Sequence, residues 1–280
     1  MQPHPAASVI LLREPGGPAG TAAPIEVCMV RRRRGSSFMA SAYVFPGGGV
    51  DAGETDRECA ARELFEEAGV ALVTRADGTA ASVSHAELGA LRRQLAEGRP
   101  ARAVLDEAGL RWDVDALTPW AHWITPSVEP KRFSAQFFVA ALPAGQVASA
   151  DEVEAVELAW VGAQDALTRA GELSLPPPQL RTLWELAGAR SVAEVLRAAQ
   201  RRSAAPHPIL PRAGSSGGAL CLLLPWDPEY QSSGNGEAHP MPHPPSWATG
   251  PSRFVLETSP EERGPRVWKH LHAPGSTTAG

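Results

Sequence analysis

Apolar residues fall into short, regularly punctuated blocks over the first two hundred positions, and the regularity then breaks up. Residues 7–12 and 25–30 read as two strands joined by a Gly/Pro-rich turn over 15–24. Phe45-Pro46-Gly47-Gly48-Gly49 reads as a strand end running into a flexible loop. From 55 to 68 the period changes to that of a helix. Thr55 with Glu58 three positions on forms a capping box, and Gly69 stands where a left-handed C-cap belongs. Two further helices are expected over 85–97 and 101–109, separated by Gly98-Arg99-Pro100. Strands follow at 120–124, 133–141 and 153–161, then helices at 164–170, 178–187 and 192–201. Strands alternating with helices predict a mixed α/β layered fold.

Composition changes the picture mainly at the C-terminal end. Of the 27 prolines, 13 lie in residues 204–280, where Ser and Gly are also dense. Proline removes a backbone donor and fixes φ, so this stretch is expected to be irregular and partly disordered. Residues 220–226 and 253–256 are apolar enough to dock on the rest. The domain plan is therefore a folded unit over 5–203 and an extension over 204–280. Removing residues 232–280 is expected to leave activity and melting temperature nearly unchanged. The net charge of -5 argues against a nucleic-acid partner, which would need a basic surface. No apolar run approaches the roughly 18 residues of a membrane span, so no membrane partner is expected. Cys28, Cys59 and Cys221 are too few and scattered for a disulfide framework, which fits a reducing, cytoplasmic setting.

The candidate chemistry lies in 48–70. Gly48-Gly49-Val50-Asp51-Ala52-Gly53-Glu54 is followed, after seven residues, by Arg62-Glu63-Leu64-Phe65-Glu66-Glu67-Ala68-Gly69-Val70. Residues three and four apart share a helix face, so Glu63, Glu66 and Glu67 converge. Adjacent carboxylates repel unless a cation sits among them, and a hard divalent ion with oxygen ligands is the natural occupant. Arg62 can pair with Glu54 and hold the glycine segment against the helix. An ordinary solvated acidic face would show such a cluster too. The whole constellation, however, would arise by chance on the order of once in ten million such chains.

Residues 48–70 resemble the Nudix box, G-x5-E-x7-R-E-U-x-E-E-x-G-U with U apolar, and every defined position is met. The resemblance implies a Nudix-type α/β/α sandwich with a mixed sheet, a helical insertion over about 71–117 after the Nudix helix, and an irregular C-terminal tail. It implies Mg²⁺ or Mn²⁺ held by Glu63, Glu66 and Glu67, with Arg62 and Glu54 as orienting residues and Glu63 or Glu67 as the base. Some members add a glutamate before a Trp that ends a strand. Glu154 is the candidate here, with Glu157, Glu152 and Asp151 as rivals. Tyr43-Val44-Phe45-Pro46-Gly47-Gly48, Trp123-Ile124-Thr125-Pro126, Lys131-Arg132-Phe133 and Leu175-Pro176-Pro177-Pro178 are similar to the peroxisomal coenzyme A diphosphatase branch and its bacterial relatives. That likeness implies a small nucleotide-derived substrate: coenzyme A or acyl-coenzyme A, cleaved to adenosine 3′,5′-bisphosphate and phosphopantetheine or its acyl form. Ser41-Ala42-Tyr43-Val44 stands where other coenzyme A enzymes of the superfamily carry a His-x-Gly element. Substrate contacts are expected from Gly47, Gly48 and Arg132, and from one alternate pair of the run 31–34, Arg31 with Arg33 or Arg32 with Arg34. Competing readings are hydrolysis of ADP-ribose, an ADP-sugar or an oxidised nucleotide, and a nucleotide-sensing module without catalysis.

Overall fold

A computed structural model describes residues 2–16, 23–32, 41–150, 155–202, 207–241, 243–257 and 267–272. Along the chain these form β1 (His4–Arg13), β2 (Glu26–Arg32), β3 (Tyr43–Val44), β4 (Gly47–Gly49), α1 (Asp56–Ala68), β5 (Val73–Arg75), α2 (His85–Ala96), α3 (Ala101–Glu107) and β6 (Leu110–Trp112). After a short 3₁₀ turn come β7 (Thr118–Ile124), β8 (Phe133–Ala141), β9 (Ala155–Gly162), α4 (Ala163–Thr168), α5 (Pro177–Leu186) and α6 (Val192–Arg202). The chain closes with β10 (Pro208–Ile209), β11 (Arg212–Ser216), β12 (Ala219–Leu223), α7 (Tyr230–Ser233), β13 (Arg253–Glu257) and β14 (Val267–Leu271).

The main sheet runs β10-β7-β8-β1-β2-β3, with β4 added to β1 and β9 to β2. It is mixed, because β1 pairs parallel with β8 and β10 with β7 while the other pairs are antiparallel. Strand β1 is buried on both faces, which is why, apart from Ser8, residues 6–12 are all apolar instead of alternating. Ala7, Val9 and Leu11 meet Cys59, Ala60 and Leu64 of α1 on one face. Ile10 and Leu12 join Leu180, Leu183 and Val195 of α5 and α6 on the other. The result is the expected α/β/α sandwich, with α1 forming one outer layer. The segment after α1 supplies a small apolar cluster of its own, with Leu88, Leu91 and Leu105 packed around Phe65. Arg92 of α2 donates to the Glu66 carbonyl at 3.0 and 2.7 Å, satisfying a carbonyl in the last turn of α1.

Two expectations change. Gly47–Gly49 is paired strand, with Ala7 opposite Gly48 and Ser8 opposite Gly47. A Cβ on Gly47 would lie 2.4 Å from the Ala7 carbonyl oxygen, so glycine is what lets this strand approach so closely.

The extension is the larger correction. Its described residues add β10 to the main sheet and build a four-stranded antiparallel sheet, β11-β12-β13-β14. The prolines lie mostly between these elements. Arg181 of α5, 1% exposed, holds the extension down. Its Nη1 donates to the carbonyls of Thr249 and Pro251 at 2.8 and 3.0 Å, and its Nη2 to Trp247 at 2.8 Å. Its Nε pairs with Glu185 at 2.7 Å, and its plane lies over Trp184 and Trp226. Within the extension, buried Arg253 forms an ion pair with Asp227 at 2.7 Å. The strands that residues 232–280 contribute are thus integral to the packing, and removing them would strip Arg181 of its carbonyl partners.

Among the described residues no helix is long and apolar enough to cross a membrane.

Candidate active site

Helix α1 starts cleanly. The Thr55 side chain accepts from the Glu58 N–H, Glu58 reaches back to the Thr55 N–H, and Gly69 ends the helix at φ 68. These caps fix which residues face β4. Arg62 lies in the middle, 8% exposed. Its Nε and Nη2 donate to Glu54 at 2.7 and 3.0 Å, and its Nη2 also reaches the Gly49 carbonyl at 3.0 Å. Its Nη1 meets Glu63 Oε1 at 2.8 Å and Glu66 Oε2 at 2.9 Å. One guanidinium therefore gathers three carboxylates and pins the turn before the helix. Glu67, buried, accepts from the Gly47 N–H at 2.9 Å and ties the helix to β4. A Cβ on Gly48 would come within 2.3 Å of Glu63 Oε1, so a larger residue there would displace the Glu63 carboxylate.

The electrostatics follow from this crowding. Burial raises Glu66 above the ordinary carboxylate range, outweighing the pull of Arg62. Burial acts on Glu54 in the same sense, but hydrogen bonds from Arg62 and the Asp51 N–H prevail and hold it low. Burial would lower Arg62; Glu54, Glu63 and Glu66 more than reverse that. Cys59 is pushed up to about 12 by burial and by Glu63, so it stays a thiol.

The oxygen donors of Glu63, Glu66 and Glu67 suit a hard divalent cation in kind. Two of the carboxylates already converge on one cationic nitrogen. Among the described residues no three Asp, Glu, His or Cys side chains come together closely enough to hold an ion unaided. Arg62 supplies the central charge in this arrangement.

Beside this cluster opens a cavity of about 590 Å³. Ser8, Gly47, Gly48, Gly49 and Glu63 line it, and Thr125, Glu129 and Lys131 add polar groups from the β7–β8 turn. Phe45, Trp123, Phe133 and Phe137 give it an apolar floor, and Pro211, Leu222 and Trp268 of the extension close it. Phe45 and Phe137 meet edge to face at 5.8 Å.

A family profile described as NUDIX domain matches residues 2–92, and one described as NUDT19 Nudix domain matches 55–186. The chain carries a Nudix domain. A solved NUDIX hydrolase from Alicyclobacillus acidocaldarius superposes with TM-score 0.59 at 26% identity, covering 70% of this chain and 96% of that one. A Caenorhabditis elegans protein that bears a nudix hydrolase name is 29% identical over 167 residues, 57% of this chain and 55% of that protein. Acyl-coenzyme A diphosphatase NUDT19 of Xenopus laevis is 24% identical over 225 residues, with coverage of 58% and 59%. The chain thus spans little more than half the length of these two relatives.

Of the residues expected at the Nudix site, Glu54, Arg62, Glu63, Glu66, Glu67, Gly47 and Gly48 are brought together. Arg132 is placed otherwise. It is buried, donates from Nε to the Thr125 carbonyl at 3.0 Å and pairs with Glu237 at 3.0 Å, bracing the β7–β8 turn against the extension. Its neighbour Lys131 lines the cavity, with Nζ 5.3 Å over the Phe133 ring. Arg31 does not line the cavity; it meets exposed Glu157 at 3.3 Å. Arg33, Arg34, Asp151, Glu152 and Glu154 lie outside the described residues, as does the Arg32 side chain.

Sequence reasoning missed the contribution of Leu222 and Trp268. Leu222 stands in an apolar run, but nothing near Trp268 signals a site. Trp123 read simply as a core or strand-end residue. An irregularity in β7 between Pro119 and Ala121 breaks the period of two that would have shown its facing.

Proposed function

We propose that this chain is a metal-dependent pyrophosphohydrolase whose substrate is coenzyme A or an acyl-coenzyme A. The observation that carries the reading is the continuity of one cavity from Glu63 and the β4 glycines to an apolar interior. A substrate with a diphosphate at one end and a long, less polar arm at the other matches that polarity. The relative named as an acyl-coenzyme A diphosphatase supports the same substrate class.

Glu63, Glu66 and Glu67 would hold Mg²⁺ or Mn²⁺. The ion would neutralise phosphate charge and acidify a bound water. The chain's own residues do the rest. Glycines at 47 and 48 keep the strand free of side chains, so phosphate oxygens can approach the backbone. Arg62 and Glu54 hold the helix and the preceding turn in one geometry. Glu63 faces the cavity and is the better placed of the two candidate bases, since Glu67 is occupied by the Gly47 N–H. Lys131 offers positive charge across the cavity from Glu63. Because Arg31 is paired with Glu157 away from the cavity, recognition of a 3′-phosphate by that residue loses its support.

The test is incubation of the purified protein and Mg²⁺ with coenzyme A, ADP-ribose, NADH and diadenosine polyphosphates, with products identified by mass. Adenosine 3′,5′-bisphosphate and phosphopantetheine, formed faster than any other product pair, are expected. Preferential cleavage of ADP-ribose, or no cleavage at all, would overturn the reading.

A further inference from the structure

The residues matched by the two Nudix profiles end at 186, yet the cavity does not. Three of its lining residues, Pro211, Leu222 and Trp268, belong to the C-terminal extension. The pattern of the small sheet explains how they arrive there. Leu222 faces Phe254 across β12 and β13, and Leu256 faces Trp268 across β13 and β14. Positions two apart share a face, so Leu222, Phe254, Leu256 and Trp268 stand on the same side of the sheet. Phe254 joins the main core, and Leu222 and Trp268 pack against it. The opposite face, Cys221, Leu223 and Val255, forms a separate cluster under Tyr230. One side of the sheet is therefore turned to the catalytic domain and the other to the extension's own core. Phe254 is fully buried, whereas Leu222 and Trp268 keep part of their surface open where the cavity meets them. Arg181 of α5 holds the segment that leads into β13, and the Arg253–Asp227 pair braces the extension internally.

The geometry points to the extension as a specificity element: Leu222 and Trp268 form the wall that receives the apolar acyl arm of the substrate, while the Nudix end holds the diphosphate. This rests on the coenzyme A reading above. The occupant follows from the chemistry of the cavity. Its lining combines a charged, glycine-rich part, Glu63 with Gly47–Gly49, and an apolar part that includes Leu222, Trp268, Phe133 and Pro211. A ligand anchored by phosphates at the first part can lay its remaining atoms against the second. An alkyl chain there removes apolar surface from water on both sides, so affinity should grow with chain length.

Calorimetric titration of the full-length protein with coenzyme A and with decanoyl-coenzyme A, in EDTA so that nothing is hydrolysed, tests this directly. The wild type is expected to bind decanoyl-coenzyme A at least about tenfold more tightly than coenzyme A. In Leu222→Ala and Trp268→Ala that ratio should fall to about threefold or less, and Trp268→Phe should restore most of it. Melting curves show which variants are folded. Should Trp268→Ala fail to fold, Leu222→Ala and the wild-type ratio still decide the matter. A wild-type ratio near one, or a ratio that survives both alanine variants, overturns the wall while leaving the coenzyme A reading intact. Failure of the metal-free wild type to bind either ligand overturns the wall, whereas the coenzyme A reading stands or falls on the Mg²⁺-dependent product assay above.

Discussion

Two buried arginines organise this molecule, and their surroundings differ in a way that separates chemistry from architecture. Arg181 is met by three backbone carbonyls, one carboxylate and the faces of two tryptophans. Neutral oxygens satisfy most of its donors, and the neighbouring Arg202 shares Glu185 at 2.7 Å. Among the described residues Arg62 has one carbonyl partner and four carboxylates, Glu54, Glu63 and Glu66 close by and Asp51 at 3.7 Å. Closing a fold needs no such surplus of negative charge. Burial raises Glu66, the charges of Glu54 and Asp51 add to that, and acids in excess of one guanidinium favour a second cation. The arginine that the backbone satisfies is a rivet; the one that acids surround stands beside the cavity, where we propose the chemistry takes place.

Exchanging each arginine for methionine gives the largest effect and can break the comparison. Removing one partner of a buried charged network typically costs about 3–5 kcal/mol, so both variants should melt well below the wild type. They should differ in rescue. Millimolar Mg²⁺ should recover part of the loss in Arg62→Met, where three carboxylates are left facing one another, and none in Arg181→Met. Equal rescue, or none in either, would erase the distinction.

A second effect sharpens the rivet side. His270 of β14 is stacked on Phe254 at 4.5 Å, and burial with nearby Arg181 pushes it down to about 3. A histidine depressed in the fold binds protons more readily when unfolded. Its contribution to stability is therefore complete above pH 6.5 and is lost as pH falls toward 3. At about 1.4 kcal/mol per unit, the wild type should lose on the order of 2–3 kcal/mol between pH 6.5 and 4 through this group. His270→Phe should flatten that part of the unfolding profile, measured in urea at each pH. An unchanged slope would show that His270 is not held neutral by its packing.

The smallest effect is expected at Arg31→Ala. Its ion pair with Glu157 is about half exposed, so stability should change by less than about 0.5 kcal/mol. Because Arg31 is not among the lining residues of the cavity, the ratio of coenzyme A to dephospho-coenzyme A turnover should be unchanged. A shift of tenfold in that ratio would return Arg31 to the site.

The same contrast explains what could be read from the sequence. The Arg62 centre is local: Glu54 to Glu67 is one turn and one helix, so spacing alone brings its carboxylates together. Strands β1 and β8 and helices α1 to α6 were legible for the same reason, through period and caps. The Arg181 centre is not local, because its partners lie about seventy residues away and are carbonyls, which no side-chain pattern announces. The described prolines of the extension, part of a stretch that suggested disorder, sit mostly between its strands. The Gly47–Gly49 segment misled in the opposite direction: glycines that suggested a flexible loop serve close strand packing against Ala7 and Ser8. At 131–132 the choice between adjacent cations depended on strand facing, which buries Arg132 and leaves Lys131 at the cavity.

The central claim is that the acids around Arg62 form a divalent cation site. Titration of Mn²⁺ into the metal-free protein, followed by electron paramagnetic resonance of the free ion, addresses it without reference to any substrate. Glu66→Gln and Glu67→Gln keep the oxygens that face Arg62 and the Gly47 N–H, so the fold should persist while each variant loses a charged ligand. The account predicts saturable Mn²⁺ binding in the wild type, weakened at least about tenfold in each variant. Titrations that superimpose for all three proteins would contradict it.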